Sequence, residues 1–149
     1  CVNFSSDATM PGNMCSRICA TDADCASGSL CIHEIGDGTG GTVPGLRFCS
    51  RSCTPAPNTG CAPGLACTLF TERTGLMRDF TDCAGPVGSG RQGSACVDET
   101  DCAAGFGCAD AGFGLECLSW CRVSGGSCPL GTVCYGVGIV SGVEWGLCA

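Results

Sequence analysis

Cysteine is the residue type with which this sequence could do most chemistry. The chain has 149 residues, and 18 of them are Cys, a share that marks disulfide-rich scaffolds. The count of 18 is even, as complete pairing requires, and so many thiols persist as disulfides only in oxidising compartments. We therefore predict an extracellular, secreted or cell-surface protein whose cysteines are all oxidised.

Metal binding is the other chemistry open to clustered cysteines. Zinc sites favour cysteine pairs separated by about two to four residues, whereas five-residue separations dominate here. Carboxylates close together in sequence could instead share a hard cation such as Ca²⁺, although Asx turns explain them more simply. We expect no cofactor and no intrinsic metal site. The Ca²⁺ candidates are Asp22, Asp24, Asp98 and Asp101.

Catalysis finds little support among the remaining residue types. His33 is the single histidine, and it stands beside Glu34. A hydrolytic triad needs a histidine close to a serine and an aspartate, but the ordinary interpretation of His33 is an exposed residue at the start of a strand. Cysteines held in disulfides offer no thiolate nucleophile. We predict that the protein is not an enzyme.

The charge balance excludes several partners. The formal net charge is −7, and the chain contains no Lys, so there is no basic footprint for a nucleic acid or an anionic membrane surface. Residues 123–143 are uncharged and long enough to span a bilayer. They contain six Gly, one Pro and two Cys, which favours disulfide-bonded β structure over a membrane span.

The first residues suggest a processed chain. The sequence begins with Cys1 and has no start Met or signal peptide. Lipidation of Cys1, as in mature bacterial lipoproteins, is an alternative, but it would leave one cysteine without a partner. Asn3 begins an Asn-Phe-Ser sequon, so it is a candidate glycosylation site in a eukaryotic secretory setting.

Four segments of the form C-x-x-G-x-x-C indicate an internal repeat. They begin at Cys25, Cys61, Cys102 and Cys128. A short loop between two crosslinked positions must reverse direction, and Gly adopts the positive φ that the reversal needs. The sequence therefore predicts equivalent tight turns. Their central glycines are Gly28, Gly64, Gly105 and Gly131.

Each of these segments is flanked by one more Cys on either side, which defines four repeats. Repeat 1 runs from Cys19 to Cys49, repeat 2 from Cys53 to Cys83, repeat 3 from Cys96 to Cys117 and repeat 4 from Cys121 to Cys148. We predict an N-terminal half-repeat over 1–18, repeats 1 and 2 over 19–83, a Gly/Ser-rich linker over 84–95, and repeats 3 and 4 over 96–149.

The secondary structure should be mostly β. The long loops between the last two cysteines of repeats 1, 2 and 4 carry apolar or β-branched residues on both sides of Gly-containing turns, which predicts hairpins. No segment has a sustained helical period, and at most one helical turn fits near residues 98–101. The predicted fold class is therefore a small disulfide-rich, mostly β protein made of tandem repeats.

The cysteine spacing resembles two groups of secreted proteins. From Cys19 to Cys83 it reads C-x5-C-x5-C-x17-C-x3-C-x7-C-x5-C-x15-C, which resembles the N-terminal cysteine-rich domain of Dickkopf-type proteins, although the adjacent Cys-Cys pair of that family is missing. It is also similar to C-x-x-D-x-D-C-x-x-G-x-x-C repeats of secreted bacterial proteins. A rival frame, starting at Cys15, Cys49, Cys83 and Cys117, would leave Cys1 and Cys148 for an intermolecular bridge.

The Dickkopf resemblance implies a disulfide pattern. In that family the bridges join the first cysteine of a unit to the third and the second to the fourth. Carried onto this sequence, the rule leaves one further bridge, Cys1–Cys15, in the half-repeat. The implied bridges in the four repeats are Cys19–Cys31, Cys25–Cys49, Cys53–Cys67, Cys61–Cys83, Cys96–Cys108, Cys102–Cys117, Cys121–Cys134 and Cys128–Cys148.

The composition favours a structural or interaction protein over an enzyme. Because the chain begins with a half-repeat, we expect open strand edges at that end, and the uncharged hairpin over 135–143 could meet them in a second copy. Such head-to-tail contacts build filaments. The candidate interface residues are Tyr135, Ile139 and Trp145, although local packing over disulfides also explains the aromatic residues. The alternative is a secreted monomeric binding module, a receptor ligand or an inhibitor, with an unidentified protein partner.

Overall fold

A computed structural model describes residues 16–72, 75–85, 87–112 and 114–149. The described residues form nine short strands and two single-turn 3-10 helices, Asp22–Asp24 and Glu99–Asp101, so the predicted mostly β fold is confirmed. Among these residues, no helix is long and apolar enough to cross a membrane. The strands are β1 (Ile18–Cys19), β2 (Cys31–Gly36), β3 (Thr42–Cys49), β4 (Ala66–Thr71), β5 (Asp79–Ala84), β6 (Phe106–Asp110), β7 (Leu115–Arg122), β8 (Cys134–Val140) and β9 (Val143–Cys148).

The strands form three antiparallel sheets that follow the repeats. Repeat 1 contributes a sheet of order β1-β3-β2, and repeat 2 contributes the hairpin β4-β5. Repeats 3 and 4 share one sheet of order β6-β7-β9-β8. Strand β7 joins them because it carries both the last cysteine of repeat 3, Cys117, and the first cysteine of repeat 4, Cys121. The predicted hairpins of repeats 1, 2 and 4 are confirmed as β2-β3, β4-β5 and β8-β9.

Each repeat contains the same two crossed disulfides. The first cysteine bonds the third and the second bonds the fourth, with Cα–Cα distances of 5.5 to 6.0 Å. These eight bridges coincide with those that the Dickkopf resemblance implies for the four repeats. The implied Cys1–Cys15 bridge and the Asn3 sequon lie outside the described residues. The rival frame differs from this pairing, since Cys148 is bonded to Cys128 within repeat 4.

The backbone of the four repeats is equivalent around these bridges. In every repeat the third and the fourth cysteine are direct neighbours on paired strands, for example Cys31 and Cys49 or Cys108 and Cys117. The turn between the second and third cysteines is also the same. Its closing hydrogen bond joins residues on either side of the glycine, as from Ser29 N–H to Ala26 C=O at 2.9 Å. Gly28, Gly64, Gly105 and Gly131 all have φ between 83° and 91°, so the predicted tight turns are confirmed.

The main apolar core lies on one face of the sheet formed by repeats 3 and 4. Two tryptophans, Trp120 and Trp145, are buried there with Leu118, Val140 and Leu147. Leu69 of repeat 2 packs against this cluster. The two halves of the chain therefore meet through the apolar core as well as through hydrogen bonds.

The segment predicted as a linker, residues 84–95, is hydrogen bonded to both repeats that follow it. Gly88 and Gly90 donate their amides to the carbonyls of Cys102 and Asp101, both at 3.0 Å. The side chain of Gln92 donates to the Cys148 carbonyl at 2.8 Å and accepts from the Ser119 amide at 2.9 Å. Gly88 and Gly90 therefore permit a close approach between the backbone of this segment and that of repeat 3.

Candidate functional site

Trp145 is not an exposed anchor, so this part of the predicted interface is wrong. Its side chain is 4% exposed and belongs to the core cluster. The guanidinium of Arg122 lies 5.1 Å from the centre of its ring, a cation–π distance. Local packing, the alternative interpretation of the aromatic residues, accounts for Trp145 and also for Trp120, Phe48 and Phe80, which are all buried.

Tyr135 and Ile139 are both 60% exposed, but they lie on opposite faces of the sheet. Tyr135 pairs with Leu147 and Ile139 pairs with Glu144, three residues apart on β9. Residues paired across two antiparallel strands lie on the same face of the sheet, and successive residues along one strand alternate between faces. Because Leu147 and Glu144 are an odd number of residues apart, Tyr135 and Ile139 lie on opposite faces. The cause is a bulge around Val137, between the Gly136 and Gly138 pairs. Alternation in the sequence cannot reveal this change.

The outer edge of β8 is open near its start. Val133 and Ala149 exchange both backbone hydrogen bonds, so in the antiparallel pattern Cys134 and Gly136 direct their amides and carbonyls away from β9. The exposed apolar side chains of Tyr135, Val137 and Ile139 flank this edge, and Val137 is 46% exposed. The result is an uncharged edge strand with apolar side chains on both faces.

In repeats 1, 2 and 3 a side chain, which we call the cap, accepts a hydrogen bond from the backbone amide of the third cysteine. In repeat 4 the amide of the third cysteine, Cys134, has no cap among the described residues. In each of those three repeats, the residue three positions before the second cysteine accepts a hydrogen bond from the amide of the third cysteine. The corresponding residue in repeat 4 is Gly125, which has no side chain to accept. Within the described ranges, no side chain accepts from the Cys134 amide. The three caps are Asp22 to Cys31 at 2.8 Å, Asn58 to Cys67 at 2.7 Å and Glu99 to Cys108 at 3.3 Å.

Asp79 closes the same edge farther along β8. Its Oδ2 accepts a hydrogen bond from the Ile139 amide at 2.9 Å, and its Oδ1 accepts from the Thr71 hydroxyl at 2.8 Å. A Cβ on Gly138 would lie 2.6 Å from Asp79 Oδ2, so glycine is required for this approach. The open part of the edge therefore ends before Ile139.

A second feature is an open groove between repeats 1 and 2. It has a volume of about 600 Å³ and is lined by Ile32 and Glu34 of β2 and by the hairpin residues Phe70, Thr71 and Phe80. The Phe70 and Phe80 rings stack with centroids 5.6 Å apart. The lining therefore mixes these aromatic rings with charged and polar side chains such as Glu34 and Thr71.

His33 borders this groove and is paired with an aspartate from the next repeat. Its Nε2 lies 2.5 Å from Asp82 Oδ2, and Asp82 is buried. The other carboxylate oxygen accepts the amides of Arg51 and Cys83 at 3.1 and 2.7 Å. The hydroxyl of Thr71, which lines the same groove, donates to Asp79 instead of His33. The pair therefore links β2 to β5, and sequence analysis missed it because the two residues are 49 positions apart.

The four Ca²⁺ candidates have backbone hydrogen bonds as partners. Asp24 accepts the amides of Ala20 and Thr21 at 2.9 Å, and Asp101 accepts the Val97 amide at 2.7 Å. Asp98 accepts the Thr100 hydroxyl at 2.6 Å and the Thr100 amide at 2.7 Å, and these bonds, the hydroxyl's first, hold the pKa of Asp98 below its usual value. Asp22 is bonded to the Cys31 amide and to Arg78, which lower its pKa in that order.

Close groups of potential metal ligands do occur, but they consist of cysteine. In each repeat, three Sγ atoms from the two bridges lie within 4.8 Å of one another. Every cysteine in these groups is already in a disulfide, and cysteine ligates a metal ion as the thiolate. The only groups of three or more such ligands among the described residues are these four, so the carboxylates do not assemble there.

Glu99 is the half-buried cap of repeat 3, at the contact with repeat 2. Burial raises its pKa above the ordinary value, against the smaller opposing effects of the Cys108 amide and the Thr68 hydroxyl. Thr68 belongs to β4 and is itself 1% exposed. The carboxylate thus loses solvation where the two halves of the chain meet.

We expect the Glu99→Gln substitution to have a pH-dependent effect on stability. A raised pKa in the folded state favours folding below the unfolded pKa and opposes it as the pH rises. The variant should therefore gain stability relative to the wild type between about pH 4 and about pH 7, on either side of the usual glutamate pKa. Guanidinium titrations at the two pH values measure this difference. If the stability of the variant relative to the wild type falls or stays constant as the pH rises, the raised pKa of Glu99 is contradicted.

The caps, the open edge and the groove have no counterpart from which a function can be transferred. Comparison of the chain with protein-family models, with curated proteins and with solved structures finds no significant match.

Proposed function

We propose that the protein is a structural protein of the extracellular space or cell surface, and that it assembles with other copies of itself through the open edge of β8. Its eight disulfides among the described residues suit an oxidising compartment. The observation that carries the assembly proposal is the missing cap in repeat 4: three repeats cover the amide of their third cysteine, and Cys134 is left open.

Uncapped edge strands are templates for the addition of another strand. Folded proteins usually blunt them with charges, prolines or bulges. Strand β8 has a bulge at Val137, but it contains no charged residue and no proline. In a molecule of net charge −7, a strand without charged side chains repels an identical copy less than an acidic strand would. Carboxylates of neighbouring strands do lie near it, namely Glu144 beside Gly136 and Asp79 beside Gly138. The uncharged strand favours a second copy of the chain over a strongly charged partner, which would need several opposite charges on β8 itself.

The assembly needs a second, complementary edge on the same molecule. Strand β1 is the outer strand of its sheet, and its Ile18 is 58% exposed. We propose that this edge receives β8 of the next copy, so that contacts repeat along a filament. Strand β1 spans the boundary between the N-terminal half-repeat and repeat 1. The half-repeat lies largely outside the described residues, and its part in the contact stays a prediction.

The test is sedimentation velocity over a range of protein concentrations. The wild type should form reversible oligomers, and Val137→Lys should weaken association by about tenfold, or about 1.4 kcal/mol, because a lysine on an edge strand opposes pairing. The matched control is Val97→Lys, an 81% exposed valine of repeat 3, which should associate like the wild type. A wild type that is monomeric at all concentrations would contradict the proposal.

The second candidate is a secreted monomeric binding module, and the groove between repeats 1 and 2 favours it. The Phe70–Phe80 stack offers an aromatic contact surface, and Glu34 and Arg47 supply charges in the same groove. The same sedimentation experiment separates the candidates, since a binding module stays monomeric. A monomeric protein whose binding to a partner is lost on Phe70→Ala would support this second function.

A further inference from the structure

We propose that Asp79 is a built-in stop that limits strand addition on β8 to its first half, Cys134 to Val137, and thereby keeps self-assembly weak and reversible. This inference rests on the proposed function, since it concerns how far a second copy can extend along the same edge. The occupant is a strand of another copy of this chain. The stop comes from repeat 2, whereas the edge belongs to repeat 4.

The contact between Asp79 and Ile139 takes the place of a hydrogen bond between paired strands. The Ile139 amide points away from β9 and donates to Asp79 Oδ2 at 2.9 Å, so a side chain occupies the position that the carbonyl of an added strand would take. The second oxygen of Asp79 accepts from Thr71 at 2.8 Å, which fixes the orientation of the carboxylate. Asp79 is the first residue of β5, so its backbone is held in the repeat 2 hairpin.

Gly138 makes this close approach possible. A Cβ at that position would lie 2.6 Å from Asp79 Oδ2 and 3.0 Å from Leu69 Cδ2. Its φ is not in the left-handed region, so close approach is the reason for glycine here. The repeat 2 hairpin is thus pressed against the second half of β8.

A strand added beyond Val137 would meet two costs. Its carbonyl would have to displace the carboxylate from the Ile139 amide, leaving a charged acceptor without that donor. Its other carbonyls would then face a negative charge at the edge, one of the devices by which edge strands avoid pairing. The remaining open edge is short, and it matches the short β1 edge, which has only two residues in strand conformation.

The decisive comparison is Asp79→Ala against Asp79→Asn, measured by sedimentation velocity. Both variants remove the same charge, but only Asn keeps an oxygen that can accept the Ile139 amide. We expect Asp79→Ala to associate about tenfold more tightly than Asp79→Asn. Disulfide mapping of both variants checks that the bridges are unchanged. Gly138→Ala, which forces Asp79 away from β8, should also strengthen association and serves as a second variant should Asp79→Ala fold poorly.

The outcomes separate this inference from the function on which it rests. If Val137→Lys weakens association while Asp79→Ala and Gly138→Ala are no tighter than Asp79→Asn, β8 is the contact but Asp79 is not a stop. If Val137→Lys and both stop variants leave association unchanged, the β8 contact itself is wrong. Tighter association of Asp79→Ala and Gly138→Ala, with weaker association of Val137→Lys, supports both.

Discussion

Replacing both Cys102 and Cys117 with alanine is expected to lower the free energy of unfolding by about 3 kcal/mol or more. The bridge closes a loop of 15 residues, for which loop-closure entropy alone predicts roughly 3 kcal/mol. Both cysteines are 0% exposed, so their removal also leaves a void in a region where repeat 3 has few other large buried side chains. Guanidinium denaturation of the oxidised proteins measures the loss.

The matched control is the equivalent bridge of repeat 2, Cys61–Cys83, replaced in the same way. It closes a longer loop of 22 residues, but both of its cysteines are partly exposed. If only loop closure mattered, the control would lose slightly more stability. We expect the Cys102–Cys117 variant to lose more, because burial adds to the entropic contribution. A loss below about 1 kcal/mol for the buried bridge would contradict the role assigned to it.

The second large effect is expected at Gly88, within the segment predicted as a linker. A Cβ at this position would lie 2.1 Å from the carbonyl oxygen of Asp101, so Gly88→Ala must push the segment away from repeat 3. Overpacking of this kind costs roughly 1 to 3 kcal/mol, and we expect the upper end because the clash is with backbone. The hydrogen bond from the Gly88 amide to Cys102 would be lost as well.

Gly36→Ala is the matched control for this substitution. Gly36 ends β2, and its nearest contact for a Cβ is at 3.8 Å. Its substitution should change stability by less than about 0.5 kcal/mol. Thermal unfolding of both variants under oxidising conditions gives the comparison. Equal stability of Gly88→Ala and Gly36→Ala would mean that residues 84–95 are a loose connection between halves, with no close packing at Gly88.

Local features of the fold could be predicted from the sequence because their causes are local. The four turns follow from glycines placed between closely spaced cysteines, such as Gly105 between Cys102 and Cys108. The hairpins follow from apolar runs on both sides of turn residues. The helical turn predicted near residues 98–101 is present as Glu99–Asp101. The expectation of at most one helical turn is wrong, since repeat 1 has a second one at Asp22–Asp24. Each of these patterns lies within one repeat.

The candidate site could be predicted only in part, since its causes lie between repeats. Tyr135 and Ile139 were recognised as exposed residues of an uncharged hairpin, but the bulge at Val137 places them on different faces. Trp145 is buried because β9 lies inside the four-stranded sheet of repeats 3 and 4. Asp79 meets Ile139 across 60 positions, and no short-range pattern marks such a pair. The missing cap at Gly125 becomes visible only once the other three caps are known.

The central claim, that copies meet at the open edge of β8, is tested most directly by amide hydrogen exchange at increasing protein concentration. The amides of Cys134 and Gly136 point away from β9, so they should exchange rapidly in dilute solution and become protected as the protein associates. The capped amide of Cys31 should keep the same protection throughout. Oligomers that form while Cys134 and Gly136 continue to exchange rapidly would contradict the account.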